Sequence, residues 1–268
     1  RIGQEVAKAF AATGWQVTGM GRSNKARLPG VSFVTGDASS VSDVQQVVAG
    51  ADVVFNALNL PYDKWDKGRA EAQLANVLTA LKGSSATLMF PGNIYNFAAD
   101  QITLTPDTPF RPEKDKGAIR VRMEEQLAEA ARNGLQVIIV RTADFYAPGA
   151  TETNFDLAMM ARLKSNVLQY PGPLDVGHSW AYLPDVGRAY VKLADNRRSL
   201  GQLERFHFPG HFASGHQMVA AIQKALPQPA KVTMVPWGLL RLIGIFVPIV
   251  REVIKMNYLW KVPHQLQD

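Results

Sequence analysis

The 268-residue sequence contains no cysteine, which excludes disulfides, thiolate catalysis and thiolate-bound metals and leaves a reducing, cytoplasmic compartment as the expectation. It also lacks a long hydrophobic run. The most apolar stretch, WGLLRLIGIFVPIV, is interrupted by Arg241 and Pro248 and falls short of the ~20 residues a membrane-spanning helix needs. A core or interface helix is expected there, and no membrane partner. The cations exceed the acids by 29 to 23, giving a net charge of +6. They are scattered, however, and no aromatic residues interleave with a basic cluster, which argues against nucleic acid as a partner. In HFPGHFASGH, glycine and proline separate His207, His211 and His216 and no carboxylate lies close by, so no metal site is expected.

What is present is an alternation. Short runs rich in β-branched and aromatic residues (WQVTGM, VSFVTG, ADVVFNA, SATLMF, LQVIIVRT) are separated by amphipathic stretches (SVSDVQQVVAG, DKWDKGRAEAQLANVLTALKG, KGAIRVRMEEQLAEAARNG). Strand–helix alternation of this kind predicts a doubly wound α/β domain, a parallel sheet covered by helices on both faces. Gly14, Gly83 and Gly134 each stand just before a strand, where a helix-ending glycine belongs. The spacing assigns residues 1–153 to this domain and 154–268 mostly to a smaller lobe, with part of 175–200 returning to the first. NFDLAMMARLKS is expected as the lobe's first helix.

The opening RIGQEVAKAF already reads as a helix in progress, with Ile2, Val6, Ala9 and Phe10 at helical spacing. A doubly wound domain binds a dinucleotide where its first strand turns into its first helix, on a glycine-rich loop. A strand and such a loop are therefore expected ahead of Arg1, with Gly3 as the last glycine of the fingerprint. After WQVTGM, no acid occurs between Trp15 and Asp37, whereas Arg22, Ser23, Lys25 and Arg27 are present. An NAD site needs a carboxylate for the ribose 2′-hydroxyl, and an NADP site needs cations for the 2′-phosphate. NADP is the expected cofactor and NAD the alternative. A basic surface turn is the structural alternative for these residues.

The chain resembles the NAD(P)-dependent epimerase/dehydratase family, the extended and atypical short-chain dehydrogenases, from Arg1 to about Trp260. The motifs that carry the resemblance are GDASSVSDV, ADVVFNALN, FPGNIYNF, VIIVRTADFYAPGA and HSWAYLPDVGRAYVKL. It implies a Rossmann-type domain. In it Asp37 and Ala38 lie along the adenine, and Asn56, Ala57 and Leu58 along the ribose. Pro91, Gly92 and Asn93 line the nicotinamide side, with Thr142, Ala143 and Phe145 closing the pocket. A turn ahead of a helix is the other role open to Asp37.

The family's chemistry rests on a Ser or Thr after the fifth strand and on Tyr-x-x-x-Lys in the next long helix. Here the hydroxyl position falls on Pro91, and no Ser or Thr occurs between Thr87 and Thr103. Aligning Glu124 with the acid that follows the motif puts Lys116 and Arg120 where Tyr and Lys stand. Four residues apart, the two cations share a helix face. Lys116 could act as a general acid or oxyanion stabiliser; the alternative is a surface arrangement with Arg120 on Glu124 and Lys116 solvated. Tyr95 is another candidate proton donor. Tyr146 and His178 are placed near the substrate, with packing and capping as their alternative roles. The implied function is an NADP-dependent oxidoreductase or epimerase-like enzyme acting on a small carbonyl or hydroxyl compound, nucleotide-sugar-like compounds included. The alternative is a non-catalytic NADP-binding regulator. A third reading is a partner-binding module using the LLRLIGIFVPIVREVI segment. Besides a small-molecule substrate, a second copy of the chain is an open alternative to the monomer.

Overall fold

In the computed structural model, residues 2–149 and 153–268 are described. Helix α1 (Ile2–Ala12) leads into β1 (Val17–Gly21), which pairs in parallel with β2 (Val31–Thr35). Helix α2 (Val41–Val48) follows, its N-terminus capped by Ser40, whose hydroxyl accepts the Asp43 N–H. Next come β3 (Val53–Phe55), α3 (Arg69–Ala80), β4 (Thr87–Gly92), a two-residue β5 (Thr103–Leu104), α4 (Asp115–Arg132) and β6 (Gln136–Arg141). Gly14, Gly83 and Gly134 have φ of 87°, 75° and 99°, the left-handed geometry that ends a helix and re-aims the chain into a strand.

Past β6 the elements are shorter. They are β7 (Asp144–Tyr146), β8 (Val167–Tyr170), β9 (Gly177–Tyr182), α5 (Leu183–Asn196) and β10 (Leu203–His207). Then come β11 (His211–Ser214), α6 (Gly215–Ala225), β12 (Lys231–Met234), α7 (Trp237–Phe246), α8 (Pro248–Lys255) and β13 (Gln265–Leu266). The helix expected over NFDLAMMARLKS is instead a single wide turn at Phe155–Met159 and a 3-10 turn at Leu163–Ser165. Met159 packs fully buried with Leu168 and Trp180, and that packing sets this segment's course.

The main sheet is parallel, in the order β10-β6-β4-β3. Its strands alternate faces. Leu88, Phe90, Val137 and Ile139 join α2, α3 and α4 in one core, while Met89, Ile138 and Val140 join α1 and α5 in the other. Each buried aliphatic side chain here contributes ~1.5–3 kcal/mol. Strands β1 and β2 form a separate ladder, and among the described residues no strand lies between β1 and β3. Strands β1 and β3 are only half-buried, whereas β4 and β6 are buried almost throughout.

Candidate functional site at the carboxyl ends of the strands

Open parallel sheets take their ligands in a crevice at the carboxyl ends of their strands, and β1, β2, β3, β4 and β6 each supply candidate residues from that end. From β3 come Asn56, buried, and Ala57, exposed. The Asn56 N–H donates to the Met89 carbonyl at 2.9 Å, and its Oδ1 accepts the Leu58 N–H at 3.1 Å, which fixes the turn out of the strand. Gly3 brings the start of α1 so close that a Cβ there would lie 2.6 Å from the Ala57 Cβ. At the ends of β1 and β2, Arg22, Ser23, Lys25 and Asp37 are exposed. The Asp37 carboxylate accepts the Ser39 N–H at 2.9 Å, and this bond, with a smaller contribution from Arg22 nearby, holds its pKa below the usual value. Ala38 offers its carbonyl to Asn76 at 3.2 Å. Asp37 therefore shapes the turn into α2 and still faces solvent beside Arg22.

From β4, the Pro91 carbonyl accepts a bond from Arg120 at 2.5 Å, the Gly92 carbonyl accepts the Thr142 N–H at 3.3 Å, and Asn93 Oδ1 caps the following turn through the Tyr95 N–H. From β6, Thr142 is 1% exposed and its hydroxyl has no partner, while Ala143 and Phe145 are half-buried.

Helix α4 completes the crevice. Lys116 and Arg120 are both buried, so the solvated surface arrangement is corrected. Lys116 Nζ donates to the Tyr62 carbonyl at 2.7 Å and to Glu252 at 2.8 Å, and it lies 5.4 Å from the centre of the Tyr62 ring. It is no free ammonium. Arg120 stacks over Phe90 at 4.8 Å, its Nε is buried without a partner, and burial draws its pKa down against the pull of Glu124. Glu124 does not bond Arg120. It takes a two-pronged ion pair from Arg141 at 2.9 and 3.0 Å, with Asn96 donating at 2.9 Å. Gly117 lets α4 approach this closely, because a Cβ there would collide with the Tyr95 carbonyl.

Three groups escaped the sequence reading. Tyr62 shares a hydroxyl–hydroxyl hydrogen bond with Tyr95. Burial raises both phenol pKa values, Tyr95 well above its usual value, so both hydroxyls stay protonated at neutral pH. Asp144 stands near enough for its charge to raise both phenols, and desolvation lifts its own pKa to about 6 despite a 2.6 Å bond from Asn154. The third is Glu252, 136 residues from the lysine it meets. Only Asp144 carried a local signal, an acid in a strand-end segment already assigned to the pocket.

The two residues placed near the substrate both take packing positions, the alternative already open to Tyr146. His178 is not at a substrate mouth: it is buried, its ring 5.2 Å from that of Trp260, and desolvation lowers its pKa to about 4. Tyr146 stacks among Phe155, Tyr182 and His211, a packing role.

The geometry meets a family match. The sequence model of the NAD dependent epimerase/dehydratase family covers residues 1–207. The chain belongs to that family. Among solved structures it is similar to UDP-glucose 4-epimerase from Brucella ovis in complex with NAD, at 16% identity and a TM-score of 0.74, over 87% of this chain and 82% of that one. UDP-glucuronic acid 4-epimerase from Bacillus cereus, also in complex with NAD, gives 15% identity and 0.74 over 88% and 84%. The Bordetella bronchiseptica enzyme WbmH in complex with NAD+ gives 20% and 0.66 over 88% and 82%. At these identities the likeness shows the fold alone. No curated protein matches the chain.

A dinucleotide suits the residues present. Two buried donors without partners, the Thr142 hydroxyl and Arg120 Nε, come from β6 and α4, and Arg22 and Ser23 are exposed at the end of β1.

Proposed function

We propose that the protein is an NADP-dependent oxidoreductase or epimerase-like enzyme of the atypical short-chain class, acting on a small carbonyl or hydroxyl substrate, with nucleotide sugars as the first class to try. The observation that carries this reading is Asp144, a carboxyl group whose pKa is lifted to about 6 and whose charge reaches the hydrogen-bonded Tyr62 and Tyr95 hydroxyls, as does that of the buried Arg120. A group that titrates near the working pH is the one suited to exchange a proton with substrate.

The bound nicotinamide would supply hydride exchange. Arg22 and Ser23 would hold the 2′-phosphate, Asn56 to Leu58 the ribose, and Thr142 and Arg120 the nicotinamide side, where each gains the partner it lacks. Tyr95 and Tyr62, protonated, would donate hydrogen bonds to a substrate oxygen on which negative charge develops, and Asp144 would take or return the proton. Lys116 would act through its field, since Glu252 and the Tyr62 carbonyl occupy its ammonium.

One observation favours the regulator instead: Lys116, in the register of the family's tyrosine, is engaged in an ion pair. Single-turnover assays with NADPH and NADP+ against a panel of nucleotide sugars and small carbonyl compounds separate the two. Hydride exchange supports the enzyme; tight nucleotide binding without it supports the regulator.

A further inference from the structure

Helices α7 and α8 form a hairpin in which residues 241–249 are all exposed except Gly244. Gly244 is where the two helices cross, because a Cβ there would lie 3.3 Å from the Arg251 backbone and 3.0 Å from Ile254. Val247 closes α7 and opens α8, with Pro248 at the first helical position, so the connection is sharp. At and around this tip stand Leu242 at 63% exposure, Ile245 at 64% and Phe246 at 84%, with Leu239, Ile249 and Val253 behind them. This is not the core helix that the sequence allows but its alternative, an interface, since a contiguous apolar projection of this kind requires a partner.

We propose that the hairpin docks the protein on an anionic bilayer surface, burying its tip among the headgroups. The charge around it favours this occupant. Between Glu204 and Asp268 the chain has seven cations and a single acid, Glu252. That acid is turned inward, 15% exposed and paired with Lys116 and Lys255, so the hairpin's outward charges are Arg241, Arg251 and Lys255. Glu113 and Asp115 share a hollow with Arg241 and Lys255 at the hairpin's base, leaving Arg251 as the cation nearest the tip. An apolar tip with cations behind it matches acyl chains beneath anionic headgroups. Length agrees as well. The ten residues of α7 rise about 15 Å, half the ~30 Å of a hydrocarbon core, so the hairpin reaches into one leaflet and does not cross. Consistently, no described helix is long and apolar enough to span.

The test is co-sedimentation of the intact protein with vesicles of phosphatidylcholine alone or with about one third phosphatidylglycerol, in low and high salt. Binding to the anionic vesicles, weakened by salt, is expected, with at least a tenfold loss in the double variant Ile245→Ser/Phe246→Ser and a smaller loss in Arg251→Gln. A single Phe246→Trp variant reports the tip directly: its emission should shift to the blue and be quenched by brominated lipid only with anionic vesicles. Absence of binding at low salt would overturn the proposal. So would binding unchanged by the tip variants, or a concentration-dependent dimer that Ile245→Ser/Phe246→Ser dissociates while the wild type ignores vesicles.

Discussion

Arg141 illustrates how much of this site is held by single side chains. It is 1% exposed and bonds Glu124 through both carboxylate oxygens, the Asn93 carbonyl and the His207 ring, while stacking 5.0 Å from the Phe97 centroid. Removing one partner of such a pair leaves an uncompensated buried charge. Glu124→Leu should therefore cost about 3–5 kcal/mol in urea unfolding, far more than loss of the exposed Arg132–Glu129 pair, at ~0–1 kcal/mol. The buried histidines set an acid limit. His178 and His207 have pKa values lowered to about 4 by desolvation, below the unfolded value near 6.5. Between these values the unfolded chain binds more protons, so stability is full above pH 6.5 and falls as pH drops through the window. Asp144, raised to about 6, works the opposite way: the folded chain binds its proton first, which favours the fold as pH falls below 6. Two histidines outweigh one carboxyl group, and unfolding at pH 5 should be easier than at pH 7 by about 2–3 kcal/mol. A denaturation series that includes His178→Gln, in which the slope should shrink, checks this. Catalysis should carry the same carboxyl group's signature. The rate should show a limb near pH 6, and Asp144→Asn should abolish that limb and lower turnover on the order of 100-fold with NADPH affinity unchanged.

At the scale of elements, what the sequence disclosed followed from local pattern. Leu88, Phe90 and Met89 alternate between two cores, so β4 was readable as a two-faced strand, and Gly83 and Gly134 marked where helices stop. The segment after Asn154 was not readable that way. Its apolar residues follow a helical period, but Met159 is drawn into a core made by β8 and β9, which no local pattern encodes. Nor could spacing reveal that α8 would bring Glu252 onto Lys116, or that His178 would lie against Trp260, since both contacts join distant parts of the chain. Gly117 stood unnoticed inside a helix, where glycine normally costs about 1 kcal/mol. Its reason is the Tyr95 carbonyl. Gly117→Ala should push α4 outward, lose about 1–3 kcal/mol and disturb the Tyr62–Tyr95 pair, which a drop in unfolding midpoint and altered tyrosine absorbance would register.

For the molecule as a whole, the groups the proposal draws on come from the carboxyl ends of β1 to β4 and β6 and from α4, and they fall into two sets of different chemistry. Arg22, Ser23 and Lys25 lie exposed in one set, and the half-buried Tyr62, Tyr95 and Asp144 with the buried Lys116 and Arg120 make up the other. This contrast carries the proposal's central claim, that a phosphate-bearing dinucleotide would enter along the cationic set and present its reactive ring to the phenols. The most direct test is calorimetric titration of the full-length protein with NADPH and NADH, repeated on Arg22→Ala. NADPH should bind the wild type more tightly than NADH, and Arg22→Ala should weaken NADPH by about 2 kcal/mol, roughly 30-fold, while leaving NADH nearly unchanged. Equal affinities in the wild type, or an Arg22→Ala variant that keeps its preference for NADPH, would contradict the account.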